Sequence, residues 1–439
     1  MMKYYFKIFL LSVGIGVVNI LMYLFLLQFQ ILHNSSYVPQ EAFDVFLILV
    51  AIPIQFLIVA LVAYVSKKNK QAVLITSALF VVACLLLILI NTKEERSTFN
   101  NEQVYRNTEK YDYQQGIATP EGYPIKLLSN SKFTLAVKGN RNPYTLLETG
   151  KVYSTNWGNS ESTFKSSEDG DVVLPDSLKL YWYSFLENKY YGLSAKLDKI
   201  KISNYFKKGY QRDMSGNFAR LIIAKYQDLN AGIAPGGDVV LWISGASETR
   251  EISVFKATEM NINQFKGEDI VKADEIKKVL SDNCECKENL QSRRIDHHNQ
   301  KIPFGIWTNQ YREKYNWKVD ISSINSSKSE LKFYFYNGER YSLFNEDAVN
   351  NNYRNKVVPS DIIFIFIQNG KKYKAFFEFD EDEIYSYFNN LSQANPNAPI
   401  DIILNINPDL SQATVKLKSK NRTLDFVKMK TLRIRKFKD

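Results

Sequence analysis

Three long apolar runs crowd into the first 90 residues and constrain this chain more than any other feature. Residues 8–32, 45–65 and 72–90 are almost continuously apolar. Each run can cross a hydrocarbon core about 30 Å thick as a helix of roughly 20 residues. No polar face recurs within them at helical period, which argues against a buried hairpin of soluble helices. A cleaved signal peptide accounts for the first run only, and no small-residue cleavage pattern separates it from the second. The runs contain no Asp, Glu, Lys or Arg; Asn19, Gln28 and Gln55 are their main strongly polar side chains, and Pro53 is a kink candidate. Ion pathways usually carry intramembrane charge, so a three-helix anchor in a lipid bilayer is expected rather than a transporter.

Lys and Arg in the short loops orient the anchor. Lys3 and Lys7 precede the first run, and Lys67, Lys68 and Lys70 separate the second from the third. The loop from His33 to Asp44 has no Lys or Arg, and Lys93 to Arg96 are of mixed sign. The N-terminus is therefore expected in the cytoplasm of a bacterial cell and everything beyond Asn91 on the far side of its inner membrane. The net charge is +10, of which +7 lies beyond residue 92. That excess is too thinly spread for a nucleic-acid stripe and suits an anionic membrane surface better.

Beyond a polar stretch, expected as a linker over 92–122, the pattern turns to strands. Leu178–Tyr183, Asp238–Ile243, Leu331–Tyr336 and Ile362–Ile367 are β-rich. Pro235-Gly236-Gly237, Asn337-Gly338 and Asn369-Gly370 are turn signals between them. Short helices are predicted from Asp198, with Ile202, Tyr205 and Phe206 on one face, and from Asp380, with Ile384 and Phe388 inward. A longer charged helix is expected between about Gly267 and Asp282. The order strand, turn, strand, Asp-capped helix, strand occurs twice. Leu174-Pro175-Asp176 leads into one copy and Val358-Pro359 into the other, with Gly150–Tyr153 mirroring Gly338–Tyr341 upstream. In this reading Asp238–Ile243 corresponds to Asp401–Ile406, and Trp242 to Ile403 or Leu404. Duplication explains the match; convergence of generic hairpin patterns is the alternative. The final strand, around Val427 to Phe437, is expected to bulge near Lys430, with Lys428, Lys430, Arg433 and Arg435 guarding an exposed edge.

The fold class that follows is α+β: a three-helix transmembrane anchor, then a predominantly antiparallel β ectodomain with short helices, built from two related halves. The expected domains are the anchor at 1–91, the linker at 92–122, a first β-rich half at 123–260, a helical, charged connector at 261–300 and a second β-rich half at 301–439.

Several stretches carry a family resemblance. They include Leu174–Leu178, Glu187–Tyr191, Phe206–Tyr210, Gly232–Gly237 and Leu241–Gly245. It resumes at Ile302–Trp307, Tyr311-Arg312, Tyr315–Trp317, Asn337–Glu339 and Phe379–Glu381. Together they resemble an uncharacterised bacterial family, domain of unknown function 2931, over roughly 123–439. The resemblance implies an exported protein and no particular activity. Members typically look like lipoproteins, whereas three helices stand in that place here. Val81-Val82-Ala83-Cys84 is similar to a lipidation signal, but the apolar run continues past it, and a buried structural Cys is the better reading.

Chemistry is sparse. Cys284, Cys286, His297 and His298 lie in one segment and could ligate zinc or copper. Their charged neighbours read instead as an exposed connector, and no metal or cofactor is expected. The Cys pair could also form a disulfide, strained by so short a loop. No Gly-x-Ser-x-Gly elbow or phosphate loop occurs, and no catalytic residue is assigned. Asp380, Glu381, Asp382 and Glu383 suit the positive end of a helix better than an acid pair or a Ca²⁺ site. Tyr181-Trp182-Tyr183 puts aromatics on both faces of a strand; one face is core, and the other either packs internally or offers a sugar- or protein-binding surface. The expected function is extracytoplasmic binding of a protein or envelope ligand. An envelope-polymer hydrolase and an immunity-type partner that neutralises a delivered toxin are the alternatives.

Overall fold

A computed structural model describes residues 2–28, 40–153, 157–158, 162–164, 171–280, 301–321, 323–324 and 326–437. The chain divides into two compact units, Met1–Thr108 with Val137–Arg141, and Glu109–Ala136 with Asn142–Asp439.

The first unit is built on helices α1 (Met2–Gln28), α2 (Gln40–Val65) and α3 (Lys70–Asn107). Among the described residues, Met2–Leu21 is the one stretch long and apolar enough to cross a membrane, and Val50–Val65 and Lys70–Ala83 are shorter apolar helical stretches. One such span therefore stands where three were expected. Helices α1 and α2 approach closely at Gly16, where an added Cβ would fall 2.5 Å from Ile52 Cδ1. Asn69 caps α3 by accepting from the Gln71 amide at 2.9 Å. Pro53 lies inside α2. The expected linker is not one: α3 continues to Asn107 because no Gly or Pro interrupts it, and strands begin at once in the second unit.

The amino half of the β-rich unit comprises β1 (Lys110–Tyr111), β2 (Gln114–Ala118), β3 (Ile125–Leu127), β4 (Lys132–Thr134), β5 (Tyr144–Leu146), β6 (Gly150–Val152), β7 (Ser162–Phe164) and β8 (Val172–Val173). It continues with β9 (Ser177–Ser184), β10 (Lys189–Lys196), α4 (Lys199–Lys208), β11 (Tyr210–Asp213), β12 (Leu221–Ala224), β13 (Asp228–Ala234), β14 (Asp238–Ser244), β15 (Thr249–Lys256) and β16 (Thr258–Met260). One sheet runs β16-β10-β9-β3-β6, and the neighbours β15-β14-β13-β2-β7 form part of a second. Strands β2 and β13 pair in parallel. Leu178, Leu180 and Trp182 alternate into a core shared with Leu229, Ala231 and Ile233. Helix α4 is capped by Asp198, which accepts from the Lys201 amide, and buries Ile202 and Phe206 one turn apart.

After α5 (Ala273–Leu280), which starts later than the expected helix, the carboxy half comprises β17 (Lys314–Asp320), β18 (Ser329–Phe335), β19 (Arg340–Phe344), α6 (Glu346–Val349), β20 (Arg354–Val357) and β21 (Pro359–Gln368). It ends with β22 (Lys371–Glu378), α7 (Glu381–Ala394), β23 (Ile400–Ile406), β24 (Ala413–Ser419), β25 (Arg422–Asp425) and β26 (Thr431–Lys436). Its sheets run β26-β22-β21-β18-β19 and β20-β17-β23-β24-β25, and β17 pairs with β23 in parallel. Ile362, Phe364 and Phe366 face Ile400, Ile402 and Leu404 in a second core. Asp380 caps α7 through the Glu383 amide, and Ile384, Phe388 and Leu391 are buried beneath it.

A single ladder pair, Thr249 with Arg340, joins β15 to β19 and makes one ten-stranded sheet of the two halves. One reading is corrected here. The strand after α4 that pairs in parallel, as β23 does, is β13 and not Asp238–Ile243, so Trp242 does not stand where Ile403 does. The ladder of β26 on β22 is unbroken from Thr431 to Lys436, and just before it the Lys430 amide donates at 3.0 Å to the carbonyl of Glu378, the residue that Thr431 faces.

Candidate functional site

A cavity of about 840 Å³ opens beside the join of the two halves. The amino half gives it Tyr123, Trp157 and Thr249; the carboxy half gives Tyr311, Tyr336 and Arg340; and Trp307 lies between them in sequence. The rings form two clusters. Trp307 meets Tyr123 edge-on at 5.1 Å and Trp157 at 6.5 Å, and Trp157 meets Trp242 at 4.7 Å. Tyr311 stacks on Tyr336 at 5.4 Å.

Local backbone chemistry fixes these rings. Tyr311 rides on one 3₁₀ turn, Gln310–Arg312. The Arg312 guanidinium reaches the Glu251 carboxylate on β15 through Nε at 3.2 Å and Nη2 at 2.6 Å, and donates through Nη1 to the Trp307 carbonyl. One side chain thus ties the turn to Trp307 and to the other half. The Asn337-Gly338 turn requires glycine, with Gly338 at φ +86°, and its backbone lies directly on Gly158. A Cβ on Gly158 would fall 2.1 Å from the Gly338 carbonyl oxygen. Trp242 Nε1 donates to the Asn337 carbonyl at 3.1 Å.

Five carboxylates line the cavity, those of Glu121, Glu339, Asp361, Glu378 and Glu381, against two cations, Arg340 and Lys430. Tyr311 donates its hydroxyl to Glu381 at 2.8 Å. Burial, then the charge of Glu381, raises the pKa values of Tyr311 and Tyr336 above the ordinary tyrosine range. Burial does the same for Tyr123. These phenols stay protonated, Tyr311 donating to Glu381 and Tyr336 to the Phe379 carbonyl at 3.3 Å. Three buried donors of lining residues have no hydrogen-bond partner among the described residues: Trp157 Nε1, Thr249 Oγ1 and Arg340 Nε. A buried donor left so is costly unless something completes it. The site therefore offers aromatic faces, donors and acceptors together.

The residues singled out from the sequence fall in different places. Trp182 is in the amino-half core, and Tyr183 on the opposite face of β9 packs with Phe185, Tyr190 and Phe265, so that face is covered. Asp380 is the α7 cap, and Glu383 accepts from the Val427 and Lys428 amides at 2.9 and 2.8 Å. Of the acidic run, Glu381 reaches the cavity. Cys284, Cys286, His297 and His298 lie outside the described residues, as does the side chain of Cys84. Among the described residues no cluster of three or more His, Cys, Asp or Glu could hold a metal. Trp157, Thr249 and Arg340 carried no sequence signal as site residues, whereas Trp307, Tyr311, Gly338 and Glu381 sit in stretches where a family resemblance was read from the residues.

Residues 97–305 match the model of a family described as protein of unknown function (DUF2931). The resemblance read from the residues holds over that segment, which begins inside α3 and ends before β17. No curated protein and no solved structure matches the chain.

Proposed function

We propose that this chain is a membrane-tethered binding protein whose β-rich unit faces away from the cytoplasm and takes its ligand in the cavity between its halves. The observation that carries the reading is the convergence, from both halves, of aromatic side chains, carboxylates and the Arg340 guanidinium on one cavity. The apolar Met2–Leu21 helix supports the tether, and the apolar stretches of α2 and α3 support two further spans. Lys67, Lys68 and Lys70 between α2 and α3 support an inside N-terminus.

The strand orders support a duplicated β-rich unit. In each half a parallel pair (β2 with β13, β17 with β23) is flanked on one side by a strand that precedes the hairpin (β7, β20) and on the other by two later antiparallel strands. Each hairpin is followed by an Asp-capped helix whose buried apolar residues lie four and eight positions after the cap. A cavity at the seam of two such halves needs both of them. The carboxylates keep a polymer hydrolase as the second reading, one that Glu381→Gln would silence without unfolding the chain.

Reporter fusions at the C-terminus test the orientation. An alkaline phosphatase fusion should be active in bacteria, and a fluorescent protein that folds only in the cytoplasm should stay dark. The reverse pattern places the cavity in the cytoplasm and overturns the proposal.

A further inference from the structure

The cavity's chemistry points beyond binding in general to a ligand class, resting on the reading of the cavity as the binding site. We propose that it takes an uncharged oligosaccharide of hexose or N-acetylhexosamine units. A sugar ring has apolar C–H faces and a rim of hydroxyls that donate and accept at once. Tyr123, Trp157 and Tyr336, each partly exposed on the lining, supply faces for the first. For the second, Glu381 and its neighbouring carboxylates supply acceptors, and the Arg340 guanidinium and the Lys430 ammonium line the same cavity as donors.

Other classes fit less well. A purely apolar ligand would seal those donors without satisfying them. A polyanion would meet five carboxylates and two cations. A simple cation would suit the carboxylates but leave the donors idle. The volume, about 840 Å³, lies within the ~300–1,000 Å³ typical of small-molecule sites. Partly exposed rings spread over Tyr123, Trp157 and Tyr336 suit a chain of sugar rings better than a single one.

The test is tryptophan fluorescence and calorimetry on the full-length chain in lipid nanodiscs. The probes are chitotetraose and cellotetraose, with dextran sulfate and a lysine-rich peptide as the contrasting charges. One neutral tetrasaccharide should bind and shift the tryptophan emission, and the two charged probes should not bind at the cavity. Tyr336→Ala and the nearly isosteric Glu381→Gln should each weaken binding at least tenfold, while Tyr144→Ala, off the cavity, leaves it unchanged. Failure of both saccharides overturns the ligand class. A charged probe that binds with the same dependence on Tyr336 and Glu381 overturns the class but upholds the cavity. Saccharide binding indifferent to both variants overturns the cavity as the site, and with it this assignment.

Discussion

Lys356 holds its ammonium 3.6 Å from the centroid of the Trp317 ring, which is itself fully buried. Burial, aided by the neighbouring charge of Arg354, pulls the Lys356 pKa down to about 7, while the ring contact works in the opposite sense. The sign of the linkage is fixed. Above about pH 7 the unfolded chain still binds the proton that the folded chain has released, so stability rises with pH until the ordinary lysine range is reached. Thermal melts should therefore show stability increasing from pH 7 to 10, and Lys356→Met should remove that rise and add about 2 kcal/mol at pH 7. A rise that survives the substitution assigns it to another group. The Arg312–Glu251 pair poses the opposite case. Both side chains are mostly buried, and Glu251 is pushed up by burial against the pull of Arg312. Arg312→Ala should cost roughly 2–4 kcal/mol in chemical denaturation, since it strands a carboxylate; a loss under about 0.5 kcal/mol shows that the pair does not hold the turn. Such pairs are invisible in the sequence, because residues 251 and 312 meet only through the join of the halves.

Helices α4 and α7 were legible because their physics is local. An Asp cap and apolar residues one and two turns on are a short-range pattern. The turns were legible for the same reason: Asn188, Asn369 and Gly370 all adopt the left-handed backbone that their residue types favour. Asp198→Ala and Asp380→Ala should each cost about 1 kcal/mol in denaturant titrations, by loss of one capping bond apiece. Ile202→Ala and Ile384→Ala should each cost roughly 2–4 kcal/mol through the cavity they leave. Unequal losses within either pair would count against equivalent roles in the two halves. What the pattern could not give was long-range pairing. Strand β2 lies in a stretch read as linker because Gln114-Gln115-Gly116 is polar, yet Ile117 and Ala118 are fully buried against β13. The same blindness aligned β14 rather than β13 with β23: both are apolar, and only the parallel partner tells them apart.

At the scale of the molecule, the ten-stranded sheet and the seam cavity make the two halves of the β-rich unit interdependent. The aromatic richness of the sequence pointed toward recognition, but it directed attention to Tyr181–Tyr183, whose second face is covered. The residues that meet at the seam come from positions as distant as 123, 157, 249, 311 and 381, and no spacing rule links them. The central claim is that this seam is where the tethered unit meets its ligand on the far side of the membrane. Placing a photo-activatable cross-linking amino acid at Tyr336 of the full-length chain, in intact bacteria, tests it most directly. Irradiation should yield a discrete envelope-derived adduct at Tyr336, absent from the same residue introduced at Tyr144 and lost when Glu381→Gln is added. Equal adducts at the two positions, or an adduct with cytoplasmic material, would contradict it.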